Sequence, residues 1–193
     1  MPTWQRLFTF YTATMLIHAY TPQWQTNFEK LKQVLQQPFA GCPVVIEHVG
    51  STSVPGLAAK PIIDIDIVYP VDISFDQIKN GLAQLGYYHN GDQGIAGREA
   101  FRRSPDIVKH STLDAISHHL YVCREDSVEL QRHLLFRDYL RQDPESRKQY
   151  EEIKTGIAIQ ANQDKIAYAE IKEQTARAFI DGILAKARKE RNS

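Results

Sequence analysis

The stretch EHVGSTSVPGLAAKPIIDIDIVYP, residues 47–70, decides the fold. It places a Gly-Ser turn, Gly50-Ser51, about a dozen residues ahead of two alternating aspartates, Asp64 and Asp66. Along a strand alternate side chains share a face at about 3.3 Å per residue, so the two carboxylates project together roughly 7 Å apart, while Ile63, Ile65 and Ile67 face a core. Carboxylates so placed repel, and burial favours their protonation unless a cation neutralises them. Mg2+ suits hard oxygen ligands, keeps several waters, and holds the phosphates of a nucleoside triphosphate for in-line displacement. Asp64 and Asp66 are therefore expected to be catalytic and to bind Mg2+. Upstream, Gly50 permits close backbone approach, the hydroxyls of Ser51, Thr52 and Ser53 are expected to cradle phosphate, and Lys60 adds positive charge. The plainer alternative is a solvated strand edge after an ordinary turn. A Gly-Ser directly after one strand, with the Asp-x-Asp in the next, favours the phosphate and metal site. Gly56 and Lys60 do not fit the G-x-x-x-x-G-K-[ST] spacing, which argues against a P-loop kinase.

The remaining sequence bounds the setting. The 193 residues suffice for one domain, or a domain with a helical appendage, that folds without disulfides. Lys and Arg total 23 against 23 Asp and Glu, so no global basic field marks a nucleic-acid binder, and any anion site must be local. Cys42 and Cys123 fit no metal spacing, and a reduced, cytoplasmic chain is the expectation. Leu7 to Ile17 is too short and too interrupted by threonines to span a bilayer, and no cleavage pattern follows it. Residues 1–18 read as an N-terminal extension without assigned function.

Thr21-Pro22 starts an amphipathic helix carrying Trp24, Phe28, Leu31 and Leu35. Strands are expected at Val44 to Ile46 and Pro61 to Val68. A helix capped by Ser74 and Gln77 follows and stops at Gly86, and Tyr87-Tyr88 begins a further strand. Asn90 to Gly97, with three glycines, reads as a mobile loop before a hairpin of Arg98 to Arg103 and Ala115 to Cys123. From Asp126 the pattern turns helical. Asp126 with Glu129 caps a helix to about Gln142, Asp143-Pro144 restarts a second, and a third runs from about Gln163 with Ala176, Phe179, Ile180, Ile183 and Leu184 buried. The expected organisation is α+β, with residues 19–125 a mixed sheet flanked by helices and residues 126–193 a helical segment packed on it.

The stretches HVGSTSVPGLAAKPIIDIDI, HHLYVC, HLLFRDYLRQDPESRKQYEEIK and YAEIKEQ resemble the GrpB family of the nucleotidyltransferase-like superfamily, over about Ile17 to Ala187. The resemblance implies a nucleotidyltransferase fold, with Gly50 and Ser51 at a helix start and Asp64 and Asp66 on the neighbouring strand. It implies no particular reaction, although some members are fused to dephospho-CoA kinase.

Nucleotidyltransferases usually bring a third carboxylate from a later strand, and here His118-His119-Leu120-Tyr121 stands instead. With Leu120 in the core, His119 and Tyr121 point to the site, and neutral His119 is expected as base or metal ligand. Asp114 is the weaker substitute for the missing acid. Arg98, Arg102 and Arg103 follow the glycine loop, where guanidinium groups pair with phosphates or an acidic acceptor. Supporting roles fall to His48, Tyr121, Arg137, Lys154, Tyr168 and Lys172, with His133, Arg137 and Arg141 spaced by four along one helix. Two functions compete: a Mg2+-dependent transfer of a nucleoside monophosphate from a triphosphate to an unknown small-molecule or protein hydroxyl, and a catalytically silent nucleotide- or anion-binding module.

Overall fold

A computed structural model of the chain describes residues 15–107 and 109–191. Five strands, β1 (Val45–Val49), β2 (Ile63–Tyr69), β3 (Tyr87–His89), β4 (Glu99–Arg103) and β5 (His118–Arg124), form one sheet in the order β1-β2-β5-β4-β3. All neighbours are antiparallel except β2 and β5, so the sheet is mixed as expected. β5 begins later than the sequence pattern suggests because Thr112 to Ile116 is wound into turns, with Asp114 N–H bonded to His110 O and Ile116 N–H to Thr112 O.

The alternation in β2 sorts the two faces. Ile63, Ile65 and Ile67 pack with Ile46, Leu120, Val122 and Phe101 against two helices, α1 (Gln23–Leu35) and α2 (Phe75–Gln84). Trp24, Phe28, Leu31 and Leu35 supply the buried stripe of α1. Ser74 Oγ caps α2 by accepting from Gln77 N–H, and Gly86 ends it at φ 76°. The opposite sheet face carries Glu47, Asp64, Asp66, His119 and Tyr121 in register, Asp64 beside His119 and Asp66 between Glu47 and Tyr121.

Four helices cover that polar face and its flank: α3 (Val128–Gln142), α4 (Pro144–Gln160), α5 (Lys165–Thr175) and α6 (Arg177–Arg191). Two boundaries differ from the sequence reading. Ser127, not Asp126, caps α3 by accepting from Leu130 N–H, because the Arg124 guanidinium holds Asp126 at 2.6 and 2.8 Å. The expected third helix is two, bent at Ala176. α5 buries Tyr168 with Leu16, Ile157 and Ala158, whereas Phe179 and Ile180 of α6 turn toward Tyr150 and Phe136.

Residues 1–14 of the expected extension lie outside the described residues. Leu16 is buried, its N–H donates to Gln163 Oε1 at 2.8 Å, and His18 bridges to Ala59, so this end of the extension is attached. Among the described residues no helix is long and apolar enough to cross a membrane.

Ile65, fully buried at the centre of β2, and Ile166, exposed on α5, measure how unevenly apolar side chains contribute. Ile65→Ala is expected to cost about 2–5 kcal/mol in urea unfolding, and Ile166→Ala less than about 0.5 kcal/mol.

Candidate functional site

α3 lies across the polar sheet face and meets it with a row of cations. His133 Nδ1 donates to Asp66 Oδ2 at 2.7 Å, Arg137 Nη1 to Glu47 Oε2 at 2.6 Å and to His48 O at 3.1 Å, and Arg141 Nε and Nη2 to Ser53 O at 3.1 and 2.8 Å. A spacing of four keeps the three side chains on one helical stripe. Burial opposes charge on His133, but its bonds to Asp66 and Glu129 outweigh that cost and raise the pKa to about 9. At neutral pH the ring is therefore an imidazolium between two carboxylates, with Nε2 3.3 Å from Glu129 Oε1. Asp66 itself is 0% exposed, and its Oδ1 is buried with no hydrogen-bond partner.

Asp64 is held differently. Its Oδ1 accepts from His119 Nδ1 at 2.9 Å, and its Oδ2 lies against the Gly50 turn, where φ is 70° and a Cβ would stand 2.2 Å from that oxygen. Gly50 thus meets both a left-handed backbone and a contact too close for any side chain. A carboxylate oxygen accepts, so His119 Nδ1 is the donor in this bond and Nε2 is directed away from Asp64.

A cleft of about 800 Å³ is lined by Ser51, Asp64, His119 and Tyr121 from the sheet and its Gly50 turn, by Lys60 from the loop before β2, and by Lys154, Tyr168, Lys172 and Arg177 from the C-terminal helices. Lys60 Nζ sits 3.9 Å from the centre of the Tyr168 ring, a cation–π contact. Burial, then the charges of Lys172 and Lys165, push the Lys60 ammonium below the usual lysine value. Burial, then Lys172, lowers Lys154 to about 7, although its Nζ donates to Ala58 O. Lys172 is held above the ordinary value by Tyr150 first, with Tyr168 and Asp64 adding to it. Burial raises Tyr168 to about 12. The charge of Lys172 thus opposes charge on Lys60 and Lys154, on top of the cost of their burial.

The other residues singled out from the sequence separate into distinct environments. Thr52 and Ser53 do not offer hydroxyls to the cleft. Thr52 Oγ1 donates to Ile62 O and meets His48 Nε2 at 3.0 Å, while Ser53 Oγ donates to Gly50 O, so both brace the turn from behind. His48 is buried, stacked 4.6 Å from the Phe28 ring, and lowered by burial to about 4, which makes it a neutral strut. Arg98 lies over the Tyr121 ring at 4.3 Å, with a buried Nε lacking a partner. Arg102 lines a separate cavity, Arg137 is taken up by Glu47 and Asp138, and Asp114 is held by Arg103 away from Asp64 and Asp66. Asp66 is covered rather than open to the cleft, because the helix that neutralises it also lies on it.

Sequence reasoning did not foresee Glu129, Arg132, Glu173 and Arg177 in the cleft lining, or Glu151, which accepts from Ala58 N–H at 2.7 Å while Lys154 binds the same residue's carbonyl. The four-residue spacing of His133, Arg137 and Arg141 was readable. Their partners, 67 to 90 residues distant for His133 and Arg137, were not.

The family model described as GrpB protein matches residues 14–185. The glutamate-rich protein GrpB of Alkalihalophilus pseudofirmus is 30% identical over 171 residues, 88% of this chain and 94% of that one. UPF0157 protein YqkA of Bacillus subtilis is 35% identical over 141 residues, 73% of this chain, and the match spans 39% of YqkA's own length. Among solved structures, GrpB of Enterococcus faecalis superposes with a TM-score of 0.71 at 34% identity, covering 92% of this chain and 99% of that one. The Cid1 poly(U) polymerase, solved with MgGTP, superposes at 0.52 with 16% identity, over 76% of this chain and 46% of that one, a likeness of fold alone.

Removing one partner of the Asp66–His133 pair leaves a buried charge uncompensated. His133→Ala is expected to destabilise by about 3–5 kcal/mol, and the Asp66→Leu, His133→Leu double variant by much less, as read by urea unfolding. Because the folded pKa of His133 lies above its ordinary 6.5, its contribution is complete below about 6.5 and is lost as pH rises through about 9. Wild-type stability is therefore expected to fall across that window, and the double variant to lack this component of the fall.

Proposed function

The chain belongs to the GrpB family, and on that premise we propose that its cleft binds a nucleoside triphosphate with Mg2+ and transfers the nucleoside monophosphate to a hydroxyl. The observation that carries this reading is that one cleft is lined both by Asp64, with Ser51 and His119, and by the lysines Lys60, Lys154 and Lys172. Lysines gathered in one cleft, with Lys172 opposing charge on Lys60 and Lys154, call for a polyanion, and the Asp64 carboxylate in the same cleft repels that anion unless a metal ion joins the two.

The donor set fits Mg2+. Asp64 Oδ2, kept clear by the absence of a Cβ at Gly50, and the unpartnered Asp66 Oδ1 are hard oxygens on one strand face. These two carboxylates would hold the ion, which when bound supplies charge neutralisation at the phosphates. The chain's own groups do the remainder. Ser51 Oγ and the turn backbone grip phosphate, Lys60 and Lys172 neutralise its far oxygens, and His119 takes the acceptor proton on Nε2 while Asp64 fixes the ring's tautomer. The fold likeness to Cid1, a polymerase solved with MgGTP, supports the same reading.

A second reading, nucleotide or anion binding without transfer, is favoured by one observation: Asp66 is fully covered and paired with His133. Calorimetry separates the outcomes. Mg-ATP, Mg-GTP or Mg-UTP is expected to bind, with Lys172→Gln and Asp64→Asn each weakening affinity about tenfold or more. A bound polyanion raises the depressed pKa of Lys154 from about 7, so binding near pH 7.5 is expected to take up protons, visible as a buffer-dependent enthalpy. Pyrophosphate release across an acceptor panel supports transfer, and binding without release supports the second reading. Affinity unchanged in both variants contradicts both readings.

A further inference from the structure

β4 and β5 pair only from Glu99 opposite Val122 to Phe101 opposite Leu120. Beyond that point Arg102 and Arg103 stay with β3, while His118 and His119 stay with β2, so the sheet forks. A second cavity of about 630 Å³ lies in the fork. Most of its polar lining is already engaged. Tyr87 OH meets His118 Nε2 at 2.5 Å, His118 Nδ1 meets Ile116 O at 2.7 Å, and Arg103 makes a two-pronged pair with Asp114 at 2.9 Å for each bond. Arg102 is different: it lines the cavity with no acid partner among the described residues. His119 and Tyr121 line both this cavity and the lysine-walled cleft.

We propose that the fork is the acceptor pocket, and that the acceptor is a small hydroxyl compound bearing one carboxylate or phosphate. This rests on the transfer reading above. The volume is that of a small-molecule site. One unpaired guanidinium matches a single anionic group, whereas a triphosphate matches the several ammonium groups next door. The shared His119 gives the step its direction. The acceptor's hydroxyl oxygen attacks the α-phosphorus of the triphosphate in the cleft, its proton passes to His119 Nε2, and the bond from that phosphorus to the bridging oxygen breaks, with the electron pair leaving on pyrophosphate.

Glycerol 3-phosphate, glycerate and glycerol serve as probes, first by saturation-transfer NMR without nucleotide and then by pyrophosphate release with Mg-ATP. The expected result is that at least one anionic probe binds about tenfold or more tightly than glycerol, that Arg102→Gln removes the advantage, and that Lys172→Gln leaves it. With Mg-ATP the same probe stimulates release, and Arg102→Gln raises its KM about tenfold with little change in kcat. Glycerol binding as tightly as the anionic probes, or an advantage lost with Lys172→Gln and kept with Arg102→Gln, overturns the assignment. Release that ignores Arg102 overturns the fork but not the transfer. Arg102-dependent binding with no release from any probe overturns the acceptor role and the transfer reading together.

Discussion

The hydrogen-bonded ion pair between His133 and Asp66 is the constraint from which the rest of this structure follows. A strand reading Ile-Asp-Ile-Asp-Ile divides its sheet into an apolar face that any pair of amphipathic helices can cover and an acidic face that they cannot. α3 covers the second face because one of its stripes is cationic rather than apolar. His133, Arg137 and Arg141 reach Asp66, Glu47 and the carbonyl of Ser53, so one helix neutralises the acid and anchors the residues behind the Gly50 turn. A buried pair of this kind gives little net stability compared with apolar packing, but it is costly to break, which makes it a strong determinant of where the helix lies.

That arrangement makes the two aspartates unequal. Asp66 lies under α3, with one oxygen bonded and the other without a hydrogen-bond partner. Asp64, two residues earlier and nearer the open end, is left to His119, to the Gly50 turn and to the cleft. In the same cleft stand Lys60, from the loop before β2, and Lys154 and Lys172 of the C-terminal helices, the first two lowered by burial and then by the charge of Lys172, which is itself held above the ordinary value. Acidic and basic groups that share a cleft leave room for a ligand carrying both signs, as a metal-bound polyphosphate does. The alternate strand face thus connects sequence to chemistry through electrostatics alone.

Much of the fold was legible because its signals are local. The two-residue period of β2, the four-residue stripe of α1, the Ser74 cap and the Asp143-Pro144 restart each depend on a handful of neighbouring residues, and all appear where the pattern puts them. The departures have a common origin in side-chain partners. Asp126 lost its cap to Arg124, and the last helix bent because its halves answer to different neighbours. In the site, Asp64, Ser51, Lys60, His119, Tyr121, Lys154, Tyr168 and Lys172 gather around one cleft. Ser53 and His48 do not, and Thr52 lines the cleft with its hydroxyl bonded to Ile62 O, since a hydroxyl or imidazole in a turn can face inward or outward and the sequence does not distinguish the two. The burial of Asp66 was equally illegible, because it depends on a histidine 67 residues away.

The central claim is that Asp64 and the lysines of its cleft form one metal-polyphosphate site. A crystal soaked with Mn2+ and a nonhydrolysable ATP analogue tests it most directly, because the ion's anomalous signal locates it independently of any turnover. The account predicts an anomalous peak at Asp64 Oδ2, with the phosphates running from the Gly50-Ser51 turn toward Lys60 and Lys172. A triphosphate bound elsewhere, or bound in the cleft with no ion at Asp64, would contradict it.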